Sequence, residues 1–180
     1  MFEKNIFSGK IVAVWGMFMK RPEDILYDLI CSASNYVISI FVKPDMEVSA
    51  VTDILIDELI ASGINGLIID VDETLRFDSK DIPKENEEWL NTARSKFKIV
   101  ILSNGMDKKL EEKFDEMGIP YIEFAFKPFK YNFNKSLDIL GLKPEEVAVI
   151  GDDLFDDIYG GNKNDMTTIK VSKCKKLTKK

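Results

Sequence analysis

At 180 residues and 20.6 kDa, with 45% hydrophobic and 31% charged residues, the chain has the composition of one globular domain with its own core, not of a disordered segment. Its net charge of −6 argues against a nucleic-acid binder, which needs clustered Lys and Arg. Histidine is absent, which excludes imidazole bases, Ser-His triads and His-ligated metals, and Cys31 and Cys174 have neither the number nor the spacing of a disulfide framework or zinc site.

Residues 1 to 45 show no clear rhythm of elements. They contain the apolar run 11 to 19 and an uncharged stretch from Leu29 to Val42, both short of the roughly 20 residues that span a bilayer. A helix is predicted around 24 to 41, and with no small-residue cleavage site after the first run the chain reads as cytoplasmic. From residue 50 onward, short β-type runs alternate with helical patterns. A helix is predicted over 50 to 62, stopping at Gly63, followed by a strand at 66 to 71 and a helix starting near Pro83. Next come a strand at 97 to 103, a helix at 106 to 117, a strand at 120 to 125 and a helix at 130 to 140, ended by Gly141. A strand at 146 to 150, a helix near 154 to 160 and a strand at 166 to 171 complete the pattern. This is an α/β chain, predicted to be a doubly wound, Rossmann-like three-layer sandwich with a five-stranded, mainly parallel sheet. The expected organisation is an N-terminal extension over 1–45, helical and interfacial in one reading, a catalytic domain over 46–172 and a lysine-rich tail over 173–180.

Open parallel sheets bind ligands beyond the carboxyl ends of their strands. The first predicted strand ends in Asp70-Val71-Asp72-Glu73-Thr74 and the second in Ser103-Asn104-Gly105; Lys127-Pro128 follows the third, and the fourth runs into Gly151-Asp152-Asp153. Taken singly, each of these is ordinary turn or capping chemistry. Four consecutive strand ends that deliver carboxylates, a hydroxyl and an ammonium group to one crevice point to a catalytic site.

In order, DVDET, Ser103, Lys127 and GDDLFDD match the four motifs of the haloacid dehalogenase superfamily, which the chain resembles. Within it the chain is most similar to the YqeG group of type III phosphatases, through KPD at 43 to 45, GLIIDVDETL at 66 to 75, ILSNG at 101 to 105 and LKPEEVAVIGDDLFDDIYGGN at 142 to 162. That group is similar to mitochondrial phosphatidylglycerophosphate phosphatases. The resemblance covers residues 41 to 171 and implies a capless, Mg²⁺-dependent phosphatase. Asp70 would be the nucleophile and form an aspartyl-phosphate, and Asp72 the acid and base for the leaving oxygen and the water. Ser103, Asn104 and Lys127 would hold the phosphoryl group. Asp70, Asp152 and Asp157 would bind Mg²⁺ with the Asp72 carbonyl, Asp156 and Asp153 being alternates to Asp157. Thr74 would steady the loop, and Glu73 departs from the Asn more common in relatives.

From Arg76 to Lys96 and from Met106 to Phe126 there are 21 residues each, all used by one helix and its connections, so a cap domain has no place. An open site suits a bulky substrate. The resemblance points to a lipid head group such as phosphatidylglycerophosphate, with a small phosphometabolite or phosphoprotein as rivals. Contact of the extension and tail with a membrane surface, at about 1 kcal/mol per basic residue, and self-association stay open. A non-catalytic scaffold for a GTPase or ribosomal partner is the reading from another class.

Overall fold

The computed structural model describes residues 40–78 and 81–172; the predicted helix near 24 to 41, apart from its last two positions, and the tail over 173–180 lie outside the described residues. Among the described residues, no helix is long and apolar enough to cross a membrane.

Among the described residues, six parallel strands form one sheet: β1 (Met46–Val48), β2 (Gly66–Ile69), β3 (Lys98–Leu102), β4 (Tyr121–Ile122), β5 (Val147–Gly151) and β6 (Thr167–Val171), in the order β1-β6-β5-β2-β3-β4. The connecting helices are α1 (Ile56–Ala61), α2 (Lys84–Arg94), α3 (Lys108–Glu116), α4 (Lys130–Leu140) and the short α5 (Gly160–Asn162). The class is the predicted α/β sandwich, with one more strand than expected. β1 has only three residues, too few for an alternating pattern to show, and its register comes from β6, Met46 lying opposite Ile169.

Every residue of GLII and VAVIG is buried, as a parallel sheet covered on both faces requires. Side chains alternate between two cores. Leu67, Ile69, Ile99, Ile101, Ala148 and Ile150 face one, which receives Leu59 of α1, Trp89 and Leu90 of α2 and Phe114 of α3. Ile68, Val100, Leu102, Val147 and Val149 face the other, with Phe133 and Leu140 of α4. The period-2 split of β2, β3 and β5 into two apolar sets makes this a three-layer domain. Gly141 closes α4 with φ 61°, a left-handed cap that glycine adopts without a Cβ penalty.

The helix predicted over 50 to 62 is broken. A 3₁₀ turn at Val51–Asp53 precedes an extended Ile54, and α1 starts only at Ile56. The Asp53 side chain accepts a hydrogen bond from the Ala50 N–H at 3.0 Å, closing the first turn on itself, and Ile54 goes into the core. Trp89 Nε1 donates to the Ile54 carbonyl and fixes the break against α2.

The site sits where the winding reverses. From β2 the chain moves through β3 to β4 on one side, then returns to place β5 on the other, so the carboxyl ends of β2 and β5 flank the switch point. Between β2 and β3, and between β3 and β4, the described residues contain one helix each and no cap domain.

Candidate active site

Asp70 follows the last residue of β2, its backbone N–H bonded to the Ile150 carbonyl of β5 at 2.9 Å. The chain then turns sharply. Leu75 and Arg76 donate their N–H groups to the Val71 carbonyl at 2.8 and 3.0 Å, and Glu73 takes the left-handed conformation, φ 62°. Asparagine tolerates that conformation better than glutamate. Within this turn, Thr74 Oγ1 is buried with no hydrogen-bond partner.

Ser103, buried at the end of β3, accepts through Oγ from the Gly105 N–H at 3.1 Å. β4 is shorter than the predicted 120 to 125 because the chain leaves the sheet after Ile122. Phe124 and Phe126 both have φ 48°, a conformation bulky residues avoid, and the Ala125 N–H bonds the Ser103 carbonyl at 2.9 Å. This contorted passage turns Lys127 inward under the β2 end. The Asn104 side chain braces it, accepting from the Lys127 N–H at 2.8 Å while its Nδ2 donates to Asp156 Oδ2 at 2.8 Å. Asn104 thus ties the loops after β3, β4 and β5 together.

The segment after β5, predicted as an ordinary helix, is a π-helical turn over Leu154–Tyr159. Its wider ring, with the Ile158 N–H reaching the Asp153 carbonyl at 3.2 Å, decides which acidic residue faces inward. Asp153 caps the turn through Oδ1, and Asp156 faces Asn104. Asp157 points back over Gly151 and accepts from the Asp153 N–H at 3.1 Å. A Cβ on Gly151 would lie within 2.5 Å of the Asp157 Cβ, so only glycine leaves Asp157 its place.

The result is a buried charge cluster. Lys127 Nζ lies 2.6 Å from Asp70 Oδ1 and 2.7 Å from Asp157 Oδ1, and all three side chains are almost fully buried. One carboxylate oxygen each from Asp70, Asp152 and Asp157 fall within 4.8 Å of one another. A cavity of about 170 Å³ opens over them, bounded also by Asp72, Ser103 and Asn104. A larger cavity of about 360 Å³ lies at the opposite end of the sheet, beside Lys98 and Phe97 at the start of β3, away from all of these groups.

Burial pushes the Asp70 carboxyl up to about 7, with Asp157 and Asp152 adding to the rise and Lys127 opposing it. Burial works against the Lys127 charge too, but Asp157 and Asp70 more than offset it and hold the ammonium above its ordinary value. Asp156 is pushed up to about 6 by burial and by Asp153. Three carboxylates balanced by one lysine leave an excess of negative charge. An all-oxygen donor set of this kind, with no thiolate or imidazole, fits a hard divalent cation such as Mg²⁺.

The Asp72 side chain, half exposed, turns to Arg76 at 2.8 Å. The sequence reading does not anticipate Arg76, which is buried and also contacts Asp107; the four-residue spacing from Asp72 is its only trace.

A family model described as haloacid dehalogenase-like hydrolase matches residues 53–165. The chain is 33% identical over 133 residues to the probable phosphatase YqeG of Bacillus subtilis, an alignment covering 73% of this chain and 77% of that protein. It is 28% identical over 99 residues to the glyceraldehyde 3-phosphate phosphatase of Pyrococcus furiosus, covering 50% of this chain and 41% of that one. Among solved structures, a haloacid dehalogenase family enzyme of Bacteroides thetaiotaomicron, in complex with magnesium and inorganic phosphate, superposes with a TM-score of 0.52 at 14% identity, covering 64% of this chain and 98% of that one. This last likeness is one of fold.

Proposed function

Since the chain belongs to the haloacid dehalogenase-like hydrolases, we propose that it hydrolyses phosphomonoesters through an aspartyl-phosphate on Asp70. The observation that carries this is the gathering of Asp70, Asp152 and Asp157 within 4.8 Å, with Lys127 bonded to two of them.

A carboxylate can approach an anionic phosphoryl group only where positive charge balances both. Asp70, Asp152 and Asp157 would hold Mg²⁺, which supplies that charge when bound. Lys127 supplies the rest and opposes the effect of burial on Asp70. Ser103 Oγ donates to a phosphoryl oxygen, and Asn104 fixes the loop that presents Lys127. An Asp70 oxygen bonds to phosphorus as the ester P–O bond breaks, and Asp72 gives its proton to the departing oxygen. Asp72 then takes a proton from water as the water oxygen bonds to phosphorus; the bond to Asp70 breaks and inorganic phosphate leaves.

The cavity admits a phosphoryl group but no large leaving group, which therefore lies over its rim. Six exposed apolar side chains sit on the loops that carry the site residues or on the first helical turn after them: Met106, Phe124, Phe126, Phe129, Tyr131 and Phe155. Exposed apolar side chains on the segments that carry an uncapped site favour a bulky, apolar phosphomonoester, and a lipid phosphate such as phosphatidylglycerophosphate best matches them. With such a substrate the protein works at a membrane surface as a peripheral enzyme.

The test is Mg²⁺-dependent phosphate release from vesicles containing phosphatidylglycerophosphate, compared with small phosphomonoesters and a phosphopeptide. Vesicles are expected to be turned over fastest, and Asp70→Asn to abolish release while keeping the fold. Release from none of the three, or release that survives Asp70→Asn, defeats the proposal.

A further inference from the structure

We propose that Arg76 is a positioning residue for proton transfer by Asp72. This rests on the assignment of Asp72 under the proposed function. Arg76 Nε donates to Asp72 Oδ1 at 2.8 Å, and its Nη1 donates to Asp107 Oδ2 at 2.6 Å. Asp107 is the N-cap of α3, its Oδ1 accepting from the Lys109 and Leu110 N–H groups at 3.1 and 3.3 Å. A chain of bonds therefore runs from a helix end through a guanidinium to one oxygen of Asp72.

The division of burial along that chain is informative. Arg76 has 9% of its side chain exposed and Asp72 has 47%, so the anchor is fixed inside the molecule while the carboxylate it holds stands at the mouth of the crevice. The two oxygens of Asp72 are not equivalent. Oδ1 is occupied by Arg76, whereas Oδ2 lies beside Gly105, on the side of the loop that carries Ser103: a Cβ on Gly105 would lie 3.6 Å from both Asp72 Oδ2 and Ser103 Oγ. Ser103 is the hydroxyl assigned to the phosphoryl group, so the unoccupied edge of Asp72 looks toward the place where a proton must pass.

An exposed aspartate on a turn samples several rotamers, and most of them point its oxygens away from the crevice. A planar guanidinium that grips one oxygen and is itself gripped at its far end removes that freedom. Asp107 also belongs to the segment that follows Ser103-Asn104-Gly105, so the same bonds fix the separation between Asp72 and the loop that holds the phosphate. Nothing in this arrangement touches the reacting atoms; Arg76 acts through Asp72.

The test uses the full chain with Mg²⁺ and two substrates, 4-nitrophenyl phosphate, whose leaving group departs unprotonated, and an alkyl phosphate, whose leaving group needs the proton. Arg76→Met is expected to slow the alkyl phosphate by on the order of 100-fold, since misplacing a reacting group by about 1 Å has that effect. The first-turnover burst of 4-nitrophenolate should stay within about threefold of wild type, followed by slow steady-state turnover because water attack also needs Asp72. Arg76→Lys should recover part of the loss. Should Arg76→Met fail to fold, Asp107→Asn, which weakens only the far contact, is expected to show the same substrate-dependent loss at smaller size. Equal loss of the first turnover on both substrates, or loss on neither, overturns the role of Arg76 if Asp72→Asn itself discriminates between them. If Asp72→Asn does not discriminate, the assignment of Asp72 fails, and the role of Arg76 with it.

Discussion

Lys127→Met isolates the electrostatic balance of the centre. The substitution nearly preserves side-chain length and removes the ammonium group that contacts both Asp70 and Asp157. All three groups are withdrawn from water, Lys127 with 4% of its side chain exposed, Asp70 with 10% and Asp157 with 2%. Removing one partner of a buried pair costs about 3–5 kcal/mol, because the remaining charge stays desolvated and unpaired. Here two carboxylates lose their partner while Asp152 stays close by, so the upper part of that range is expected in metal-free protein, lessened by whatever protons the carboxylates take up. At about 2–4 °C per kcal/mol for a domain of this size, melting in EDTA should fall by roughly 10 °C or more. Millimolar Mg²⁺ should recover much of the loss by binding the folded form alone. Differential scanning calorimetry with and without Mg²⁺ measures both. A variant that melts within about 2 °C of wild type in EDTA would show that the three charges do not depend on one another, and the argument for the site would lose its basis.

Gly151→Ala drives a methyl group into Asp157. The expected outcome is a stability loss of about 1–3 kcal/mol from overpacking and weaker Mg²⁺ binding, read by calorimetry and titration; unchanged Mg²⁺ affinity would remove Asp157 from the ligand set. Replacing the unpartnered Thr74 hydroxyl by the isosteric Val should stabilise the fold by about 1 kcal/mol, visible as a rise of about 2–4 °C, and a fall would reveal a hidden partner. Protons and Mg²⁺ compete for Asp70. With its carboxyl at about 7 in the metal-free protein, Mg²⁺ affinity should hold above that pH, fall up to tenfold per unit below it, and be accompanied by proton release on binding. Folding of the metal-free protein runs the other way. The folded form keeps a proton that the unfolded form gives up near 3.8, so this group's contribution favours the folded state at acid pH and is lost as the pH rises from about 4 to about 7.

The sequence carries the fold where apolar runs are long and sharply bounded. GLIIDV and EVAVI read as buried strands and form β2 and β5, and Gly141 closes α4 where it was expected. It is silent where a structure depends on neighbours distant in the chain. β1 exists because β6 offers it a ladder, and the break before α1 because Trp89 receives the Ile54 carbonyl. The same divide runs through the site. Asp70, Ser103, Lys127 and Asp152 are legible because each ends a strand or follows one closely. The choice of Asp157 over Asp153 and Asp156 comes from the resemblance alone and not from periodicity, because an α turn and a π turn present different residues to the same point. Arg76 is invisible for another reason: its partner Asp107 reads only as a helix cap, and their contact depends on how two loops are folded together.

Both margins of the sheet are short, three residues in β1 and two in β4, while the strands between them have four or five. A long margin would offer a row of free amide and carbonyl groups on which another polypeptide could add a strand. Here the described margins offer little to copy. Chains crowded together around one large substrate body should therefore resist joining sheet to sheet.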